Sequence, residues 1–471
     1  MTVTGKDLIE LGFPEGRELG AALVHVNAEG LHGVQLARWV EANRPAPRIG
    51  LQEQPGYVLN IDAETALEAE NVDRVKATMD VMMRTPTLRR GAVMPDACPA
   101  GPEGTIPVGG VAVAQNAIHP GMHSADICCS VMVTEFADSV PGDVMNVVHK
   151  VTHFGPGGRA DGQHFTLSPG LYEAFRANRF LRDPKILQAA RAHLGTQGDG
   201  NHFAYVGRSS ANGTTCLVTH HGSRGPGAGL YRLGMRAAET WRRKLSEGVL
   251  TQNAWIPADS DEGIAYWEAL QLIRQWTKAN HDAIHQATAE MIGAGVRDRF
   301  WNEHNFVFRK GDLFYHAKGA TPIDAGMLPD SAGIQILPLN MAEPVLLIRG
   351  EANDRNMGFA PPGAGRNMSR SAHRRMNAGQ SEEEIFAGET TGLDVRFYSG
   401  AIDVSELPSA YKNAASVRDQ MKRFGLADVV DEIVPYGSIM AGDWQRNAPW
   451  KLKARAKHAA SAAREAGKGA S

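Results

Sequence analysis

Three histidines stand where a glycine-rich or polar turn meets a β-rich segment, and this feature constrains the fold more than any other. His202 follows the glycine-rich loop 195–201 and precedes FAYV, His220 ends TTCLVTH, and His304 lies just before FVFRK. Segments of this composition, bounded by glycine or polar turns, are typical of β-strands. The chain is therefore expected to carry its chemistry at the ends of strands.

A carboxylate and a thiol add to this pattern. Asp126 and Cys129 stand three residues apart, just before the β-rich segment VMVTEF. A turn can bring such a pair onto one ion, and a thiolate with a carboxylate suits Mn, Zn or Fe. Taken alone, the pair is also compatible with a buried cysteine beside a turn-forming aspartate. Together with the three histidines, however, the two residues have the composition of a metal centre.

Composition excludes several classes of protein. The chain is 43% hydrophobic and has 49 Lys+Arg against 52 Asp+Glu, so it is expected to be globular and is not a globally basic, histone-like nucleic-acid binder. Its four cysteines are too few for a disulfide framework. No apolar run approaches the roughly 18 residues of a spanning helix, and the N-terminus lacks the pattern of a signal peptide. We therefore expect a cytoplasmic protein with no membrane partner.

The remaining patterns predict a mixed fold in three parts. Apolar spacing predicts helices over Leu230–Glu247 and Glu262–Ile292. The predicted parts are a helical N-terminal region (1–90), a catalytic domain (91–442) and a basic tail (443–471), which could be a frayed solvated helix or a segment that contacts RNA. Strands are predicted over 131–136, 214–220, 306–316 and 345–350.

A basic, glycine-containing turn is a candidate phosphate site. Gly363-Ala364-Gly365-Arg366 exposes backbone N–H groups beside a guanidinium, and three further arginines follow by residue 375. The alternative is a glycine loop that precedes a solvated helix.

Taken in order, seven motifs resemble the RtcB family of RNA-splicing ligases. The resemblance extends from about residue 90 to about residue 440. It implies an α+β fold with β-sheets and flanking helices around a buried dinuclear manganese site. It also implies a GTP-dependent ligase that joins an RNA 2′,3′-cyclic phosphate or 3′-phosphate end to a 5′-hydroxyl end. The motifs are MPD (94–96), D-I-x-C (126–129), G-x-G-N-H-F (198–203), H-x-G-S-R-G (220–225), H-N (304–305), H-x-K-G-A-T (316–321) and G-A-G-R-x-M-S-R (363–370).

The resemblance also assigns roles to individual residues. The metal ligands that it implies, with Cys129 as the bridging thiolate, are Asp126, Cys129, His202, His220 and His304. The implied nucleotide- and phosphate-binding residues are Asn201, Asn305, Ser223, Arg224, Gly363, Ala364, Gly365 and Arg366. The implied cofactors are two Mn²⁺ ions and GTP. The expected partners are RNA ends and an activating protein of the archease type.

The chain departs from the family pattern at the guanylate step. Members of the family form a covalent guanylate on a histidine that immediately precedes the Gly-Ala-Gly-Arg turn, and that position is Pro362 here. Proline has no nucleophilic side chain, so no guanylate can form at that position. Leu339 also replaces a glycine of the family's guanylate loop. Three functions therefore stay open: an RNA ligase of the family type, a metal-dependent phosphoesterase that opens 2′,3′-cyclic phosphates, and a non-catalytic protein that binds RNA ends.

Overall fold

A computed structural model describes residues 2–45, 48–328 and 330–446. No helix within these ranges has both the length and the apolar character needed to cross a membrane. The helices of the described ranges are α1 (Gly5–Glu10), α2 (Arg17–Ala28), α3 (Gly33–Asn43), α4 (Ala66–Met82), α5 (Pro141–Val151), α6 (Pro169–Ala177), α7 (Pro184–Ala192), α8 (Arg224–Leu245), α9 (Asp261–Ile292), α10 (Arg370–Met376), α11 (Glu382–Glu389) and α12 (Ala414–Arg423).

The strands form two main sheets and two small ones. In chain order they are β1 (Tyr57–Leu59), β2 (Leu88–Cys98), β3 (Val108–Gln115), β4 (Ala117–Ile118), β5 (Ser130–Phe136), β6 (Phe203–Ser209), β7 (Thr215–His221), β8 (Ile256–Pro257), β9 (Val296–Glu303), β10 (Asn305–Lys310), β11 (Leu313–Lys318), β12 (Thr321–Pro322), β13 (Gln335–Leu337), β14 (Val345–Arg349), β15 (Phe359–Ala360), β16 (Asp394–Phe397) and β17 (Asp428–Met440).

The eight-stranded sheet brings the predicted strand ends together. Its order is β13-β14-β17-β6-β7-β5-β9, and β16 pairs in parallel with β17. The four strands β6, β7, β5 and β9 are neighbours and run antiparallel. The starts of β5 and β6 therefore meet the ends of β7 and β9 on one side of this sheet. We call this row of strand termini the shared edge of the four strands. The five-stranded sheet has the order β1-β2-β3-β11-β10.

Helix α9 covers the eight-stranded sheet. Its N-cap is Ser260, whose hydroxyl accepts the Gly263 N–H, and it ends at Gly293 in the left-handed conformation that glycine adopts freely. A long buried stripe of α9 includes Ile273, Trp276 and Ile284, which accounts for the predicted helical periodicity. With helices and antiparallel sheets both present, the predicted α+β class is confirmed.

Two elements differ from their predicted extent. The segment 306–316 is a hairpin, because the chain turns at Gly311-Asp312 between β10 and β11. Helix α8 begins at Arg224, six residues before the predicted start. Its first turns contain Gly227 and Gly229, which are poor helix formers. A Cβ on Gly229 would lie 2.6 Å from the Ile186 side chain, so close packing against α7 accounts for a glycine there.

The three predicted parts of the chain stay predictions. Helices α1, α2 and α3 bury a small apolar cluster of their own, which includes Leu8, Val26 and Val40. Strand β1, however, pairs with Gly91–Val93 of β2, and β2 itself runs across the predicted boundary at residue 90. The five-stranded sheet, to which β1 and β2 belong, therefore extends into the N-terminal region. Most of the predicted basic tail, from residue 447 onward, lies outside the described residues.

Candidate metal centre

The five predicted metal ligands converge at the shared edge of β6, β7, β5 and β9. Cys129 directly precedes β5, His202 directly precedes β6, His220 lies near the end of β7, and His304 directly follows β9. Neighbouring strands lie roughly 5 Å apart, which is the spacing needed for side chains to meet around a small ion. The sheet register therefore assembles donors that are up to 178 residues apart in the chain.

The donor atoms form two groups that share one sulfur. The first is Cys129, His220 and His304, the second is Asp126, Cys129 and His202, and the ligand atoms of each group lie within 4.8 Å of one another. Cys129 Sγ is 3.2 Å from His220 Nε2 and 3.6 Å from His202 Nε2. His220 Nε2 is 3.2 Å from His304 Nε2, and His202 Nε2 is 3.3 Å from Asp126 Oδ2.

Backbone carbonyls fix the orientation of two imidazoles. His202 Nδ1 lies 2.6 Å from the Gln197 carbonyl oxygen, and His220 Nδ1 lies 3.1 Å from that of Asn201. A carbonyl only accepts, so each Nδ1 carries the proton and each Nε2 directs a lone pair into the cluster. This arrangement of a metal-binding histidine, with its other nitrogen bound to an outer partner, is the usual one in metalloproteins.

The protonation states also suit a cation. Burial, reinforced by the neighbouring His304 and His202, lowers the pKa of His220 well below its ordinary value, and burial lowers the pKa of His304 to about 4. Burial opposes ionisation of Asp126, but the interactions with His202, Cys129 and His220 together outweigh burial and lower the pKa of Asp126 to about 2. Burial and the Asp126 carboxylate raise the pKa of Cys129.

These donors fit a divalent metal. Two imidazole lone pairs, a carboxylate and a buried thiol face one another, and a cation would stabilise both the Cys129 thiolate and the close approach of the nitrogens. Close packing fixes the carboxylate as well, because a Cβ on Gly222 would lie 2.0 Å from Asp126 Oδ1. The cluster is therefore compatible with metal binding, and the Cys129 sulfur belongs to both donor groups.

A ladder of hydroxyls and histidines supports the cluster from the side of α9. His281 Nε2 is 3.0 Å from Ser130 Oγ, and Thr219 Oγ1 lies 2.7 Å from both His281 Nδ1 and His285 Nε2. Thr134 Oγ1 is 2.7 Å from His285 Nδ1. We call these residues, with His221 stacked on His281 at 3.5 Å between ring centres, the histidine ladder. It ties α9 to the residues next to Cys129 and His220.

Sequence reasoning missed this ladder, although a signal was present. His281 and His285 are four residues apart on a helix and so share one face. Ser130 and Thr134 also share a face, because side chains alternate along a strand. Burial lowers the pKa of His281 and of His285 well below the ordinary value, which keeps both neutral.

A cavity of about 460 Å³ extends from the cluster. At the metal end it is lined by Asp126, Cys129, His220 and His304. Of the predicted nucleotide- and phosphate-binding residues, the ones that also line it are Asn201, Asn305, Gly363, Ala364, Gly365 and Arg366. Pro362 lines the same wall. The structure thus places the metal cluster and the Gly-Ala-Gly-Arg turn in one cavity.

Ser223 and Arg224 are not brought to this cavity. The Ser223 hydroxyl is buried and donates to the Ile127 carbonyl at 2.5 Å. Arg224 donates to the carbonyls of Gly155 and Gly157 at 2.9 and 3.2 Å, so its guanidinium joins loops. Their predicted role in phosphate binding stays a prediction that these contacts do not support.

Arg366 lines the cavity but is held by an internal carboxylate. Its guanidinium donates to Glu406 Oε2 at 2.5 Å and to the Ser405 carbonyl at 2.6 Å, and it lies over the Tyr411 ring. Arg370 donates to Glu406 Oε1 at 2.7 Å. The buried Glu406 therefore compensates part of the positive charge that the sequence pattern offered to phosphates.

Lys318 is a further cation in the cavity that sequence reasoning left without a role. Its ammonium donates to the Ile106 carbonyl at 3.1 Å, and no salt bridge to Lys318 is found among residues 2–45, 48–328 and 330–446. Burial lowers the pKa of Lys318 to about 8. Cys98 and Asp96 line the same part of the cavity. Gly365 packs tightly there, at φ +71°, where a Cβ would lie 2.0 Å from the Asp96 carbonyl oxygen.

The α+β fold and the shared-sulfur donor set define a protein with a candidate metal centre that opens into a cavity of about 460 Å³. Residues 78–441 match the family model described as tRNA-splicing ligase RtcB, and this is most of the chain. The chain therefore belongs to the RtcB family, as its motifs predicted.

Relatives of known name are about a quarter identical to this chain over the aligned residues. The tRNA-splicing ligase RtcB of Archaeoglobus fulgidus is 28% identical over 296 residues, which cover 54% of this chain and 60% of the relative. The RNA-splicing ligase RtcB of Mycobacterium tuberculosis is 26% identical over 54% of this chain and 66% of the relative. The tRNA-splicing ligase RtcB of Pyrobaculum aerophilum is 26% identical over 71% of this chain and 84% of the relative. The chain thus spans 60% and 66% of the first two relatives.

Proposed function

We propose that this chain is a metal-dependent RNA ligase that joins an RNA 2′,3′-cyclic phosphate end to a 5′-hydroxyl end. The 5′-hydroxyl oxygen forms a bond to phosphorus as the bond from phosphorus to O2′ breaks, and O2′ takes up the proton. A 3′-phosphate end would first need activation by a nucleotide, because joining it directly expels water. The observation that carries the proposal is the pair of donor groups that share Cys129 at the wall of a 460 Å³ cavity. Membership of the RtcB family supports RNA as the substrate, because the named relatives are RNA-splicing ligases. The proposed ions are two Mn²⁺.

The proposed ligands are Asp126, Cys129, His202, His220 and His304. When bound, a pair of divalent ions neutralises phosphate charge and polarises a phosphorus centre toward in-line attack. The protein contributes position: Gln197 and Asn201 hold two imidazoles through their carbonyls, and the Asn305 amide oxygen accepts the Gly319 N–H at 2.7 Å. Lys318 is proposed to bind a phosphate oxygen, because it is a cation in the same cavity without a carboxylate partner.

The opposite wall does not fit the family's covalent guanylate. Pro362 offers no nucleophile, and Arg366 is engaged by Glu406. Leu339 lines the cavity where the family pattern has a glycine, so a bulky side chain faces the space. We therefore derive no step through GTP.

A second candidate function follows from Pro362. Opening a 2′,3′-cyclic phosphate needs a metal centre and water but no protein nucleophile. A chain with the donor cluster and without the nucleophile could carry out this step and stop. An activating protein of the archease type is a further proposed partner.

The test uses full-length protein loaded with Mn²⁺. An RNA with a 2′,3′-cyclic phosphate is incubated with a 5′-hydroxyl RNA, with and without GTP and with and without an archease-type protein. Product length reports joining, and mass spectrometry of the RNA end reports opening. Cys129→Ala is the control, since it removes the shared sulfur.

We expect a joined product that depends on metal and on Cys129. Conversion of the cyclic phosphate to a monophosphate without joining would replace the ligase proposal with the phosphoesterase. Binding of RNA with both ends unchanged under all conditions would overturn both enzyme functions and leave an RNA-end binding protein.

A further inference from the structure

A second cavity, of about 390 Å³, lies between α7 and α8. Its wall includes Lys185 of α7 and Gly225, Arg232 and Arg236 of α8. We call this cavity the basic groove. None of the proposed metal ligands lines it, so it is separate from the cavity at the metal centre.

The two helices of the groove have a charge opposite to that of the chain. Helices α7 and α8 contain eight Lys and Arg residues and one acidic residue, Glu239, whereas the whole chain has a net charge of −3. Helix α9, which packs against α8, has more acidic than basic residues. Positive charge is thus concentrated at this surface, which is the distribution expected for a site that binds a polyanion.

The cations of the groove are exposed and available. Glu239 binds Arg242 and Arg243, but the side chains of Lys185, Arg232 and Arg236 form no salt bridge or hydrogen bond with any residue in the described part of the chain. One carboxylate lies at the rim, because Asp183 caps α7 by accepting the Lys185 N–H at 2.8 Å. The groove therefore has three cationic side chains without a described partner and one carboxylate, that of Asp183, at its rim.

The groove leads away from the metal centre. Gly225 lies three residues after Gly222, which touches the Asp126 carboxylate. From Gly225, the axis of α8 carries Arg232 and Arg236 about 10 and 16 Å further away, at a rise of roughly 1.5 Å per residue. The start of α8 thus lies beside the Asp126 carboxylate, and the two groove arginines follow in order along the same helix.

We infer that the basic groove binds the sugar–phosphate backbone of the RNA strand whose end reaches the metal centre. The inference rests on the proposed function and extends it to the RNA beyond its terminal phosphate. The occupant is single-stranded RNA, because the groove offers positive side chains at phosphate-scale intervals and a short reach along one helix. Contacts to phosphates carry no sequence information, so binding is expected to be independent of base sequence.

The test compares two triple variants in the full chain. The groove variant is Lys185→Ala with Arg232→Ala and Arg236→Ala. The matched control is Lys150→Ala with Arg297→Ala and Arg349→Ala, which removes the same charge from exposed cations without salt bridges on other elements. The affinity of each protein for a 3-nucleotide and a 12-nucleotide 3′-phosphate RNA is measured across salt concentration.

For the 12-nucleotide RNA, we expect the groove variant to reduce the slope of log affinity against log salt by about 2, at about 0.7 per lost phosphate contact. The effect is expected to be smaller for the 3-nucleotide RNA. An unchanged slope, or an equal reduction in the control variant, would overturn the inference. The proposed function is judged separately, by whether wild-type protein joins or opens a 3-nucleotide RNA that ends in a 2′,3′-cyclic phosphate when a 5′-hydroxyl RNA is present.

Discussion

The two ends of the main cavity are built by different means. At the metal end, donors are held by the edge of a sheet, and carbonyls fix their orientation. At the opposite end, a loop supplies Pro362 and Arg366, and the arginine is bound by Glu406 within the protein. The metal end is therefore arranged for a ligand that comes from outside, whereas the loop end satisfies much of its own charge. The comparison indicates that the residues of the family pattern are kept at the metal end, where the sheet fixes their positions, and changed at the loop end.

The largest expected effect is the loss of metal by Cys129→Ala, because the shared sulfur belongs to both donor groups. Metal content after dialysis, measured by mass spectrometry, should fall from two ions to none. Pro362→Ala, at the other end of the cavity, is the control and should retain both ions. Two bound ions in Cys129→Ala would show that the thiol is not a ligand.

A gain of function at the loop end is the second prediction. Pro362→His places an imidazole at the position of the family nucleophile, so incubation with GTP and Mn²⁺ should add the mass of one GMP to the protein. Wild type and Pro362→Ala should stay unmodified. If wild type gains a GMP, a nucleophile lies elsewhere and the contrast between the two ends disappears.

The third prediction concerns the support of the metal end. His281→Leu removes the only imidazole partner of the buried Ser130 hydroxyl among the described residues and one of the two imidazole partners of Thr219, which should cost about 1 to 3 kcal/mol in the free energy of unfolding. Because these residues adjoin Cys129 and His220, metal affinity should fall about tenfold. Calorimetric titration with Mn²⁺ measures this loss. His25→Leu, a histidine of the N-terminal helices, is the control, and an equal loss of affinity there would rule out a specific role for the ladder.

The smallest expected effect is a pH dependence set by Lys318. Burial lowers its pKa to about 8, so the ammonium is present below pH 8 and is lost as the pH rises through that value. The affinity of metal-free protein for inorganic phosphate should therefore fall by up to about tenfold between pH 7 and pH 9. Lys318→Arg should flatten the profile, because a guanidinium stays protonated over this range. A steep profile in Lys318→Arg would assign the titration to another group.

The sequence predicted the local features of this molecule better than its long-range contacts. The strands beside His202, His220 and Cys129 could be predicted because composition and turns are local signals. The pairing of Arg366 with Glu406 could not, since the two residues are 40 positions apart and nothing local specifies the contact. The histidine ladder was missed for the same reason, because Thr134 and His285 are 151 positions apart.

Prediction also failed where packing overrides propensity. The glycines at the start of α8 favour a loop, but contacts with α7 make a helix there. The five predicted ligands were grouped by their positions beside turns and strands, by their composition and then by motif order, because no local rule gives their contacts. Their metal occupancy is a question for the Cys129→Ala experiment.

The shared edge of β6, β7, β5 and β9 has a consequence for how the protein folds. The proposed ligands span residues 126 to 304, so the site exists only after strands distant in sequence have paired. Contacts of this kind form slowly, because closing long loops costs chain entropy before any contact is gained. Metal capture should therefore follow assembly of the sheet. The rate of Mn²⁺ uptake during refolding would then report how fast these distant strands reach their native pairing.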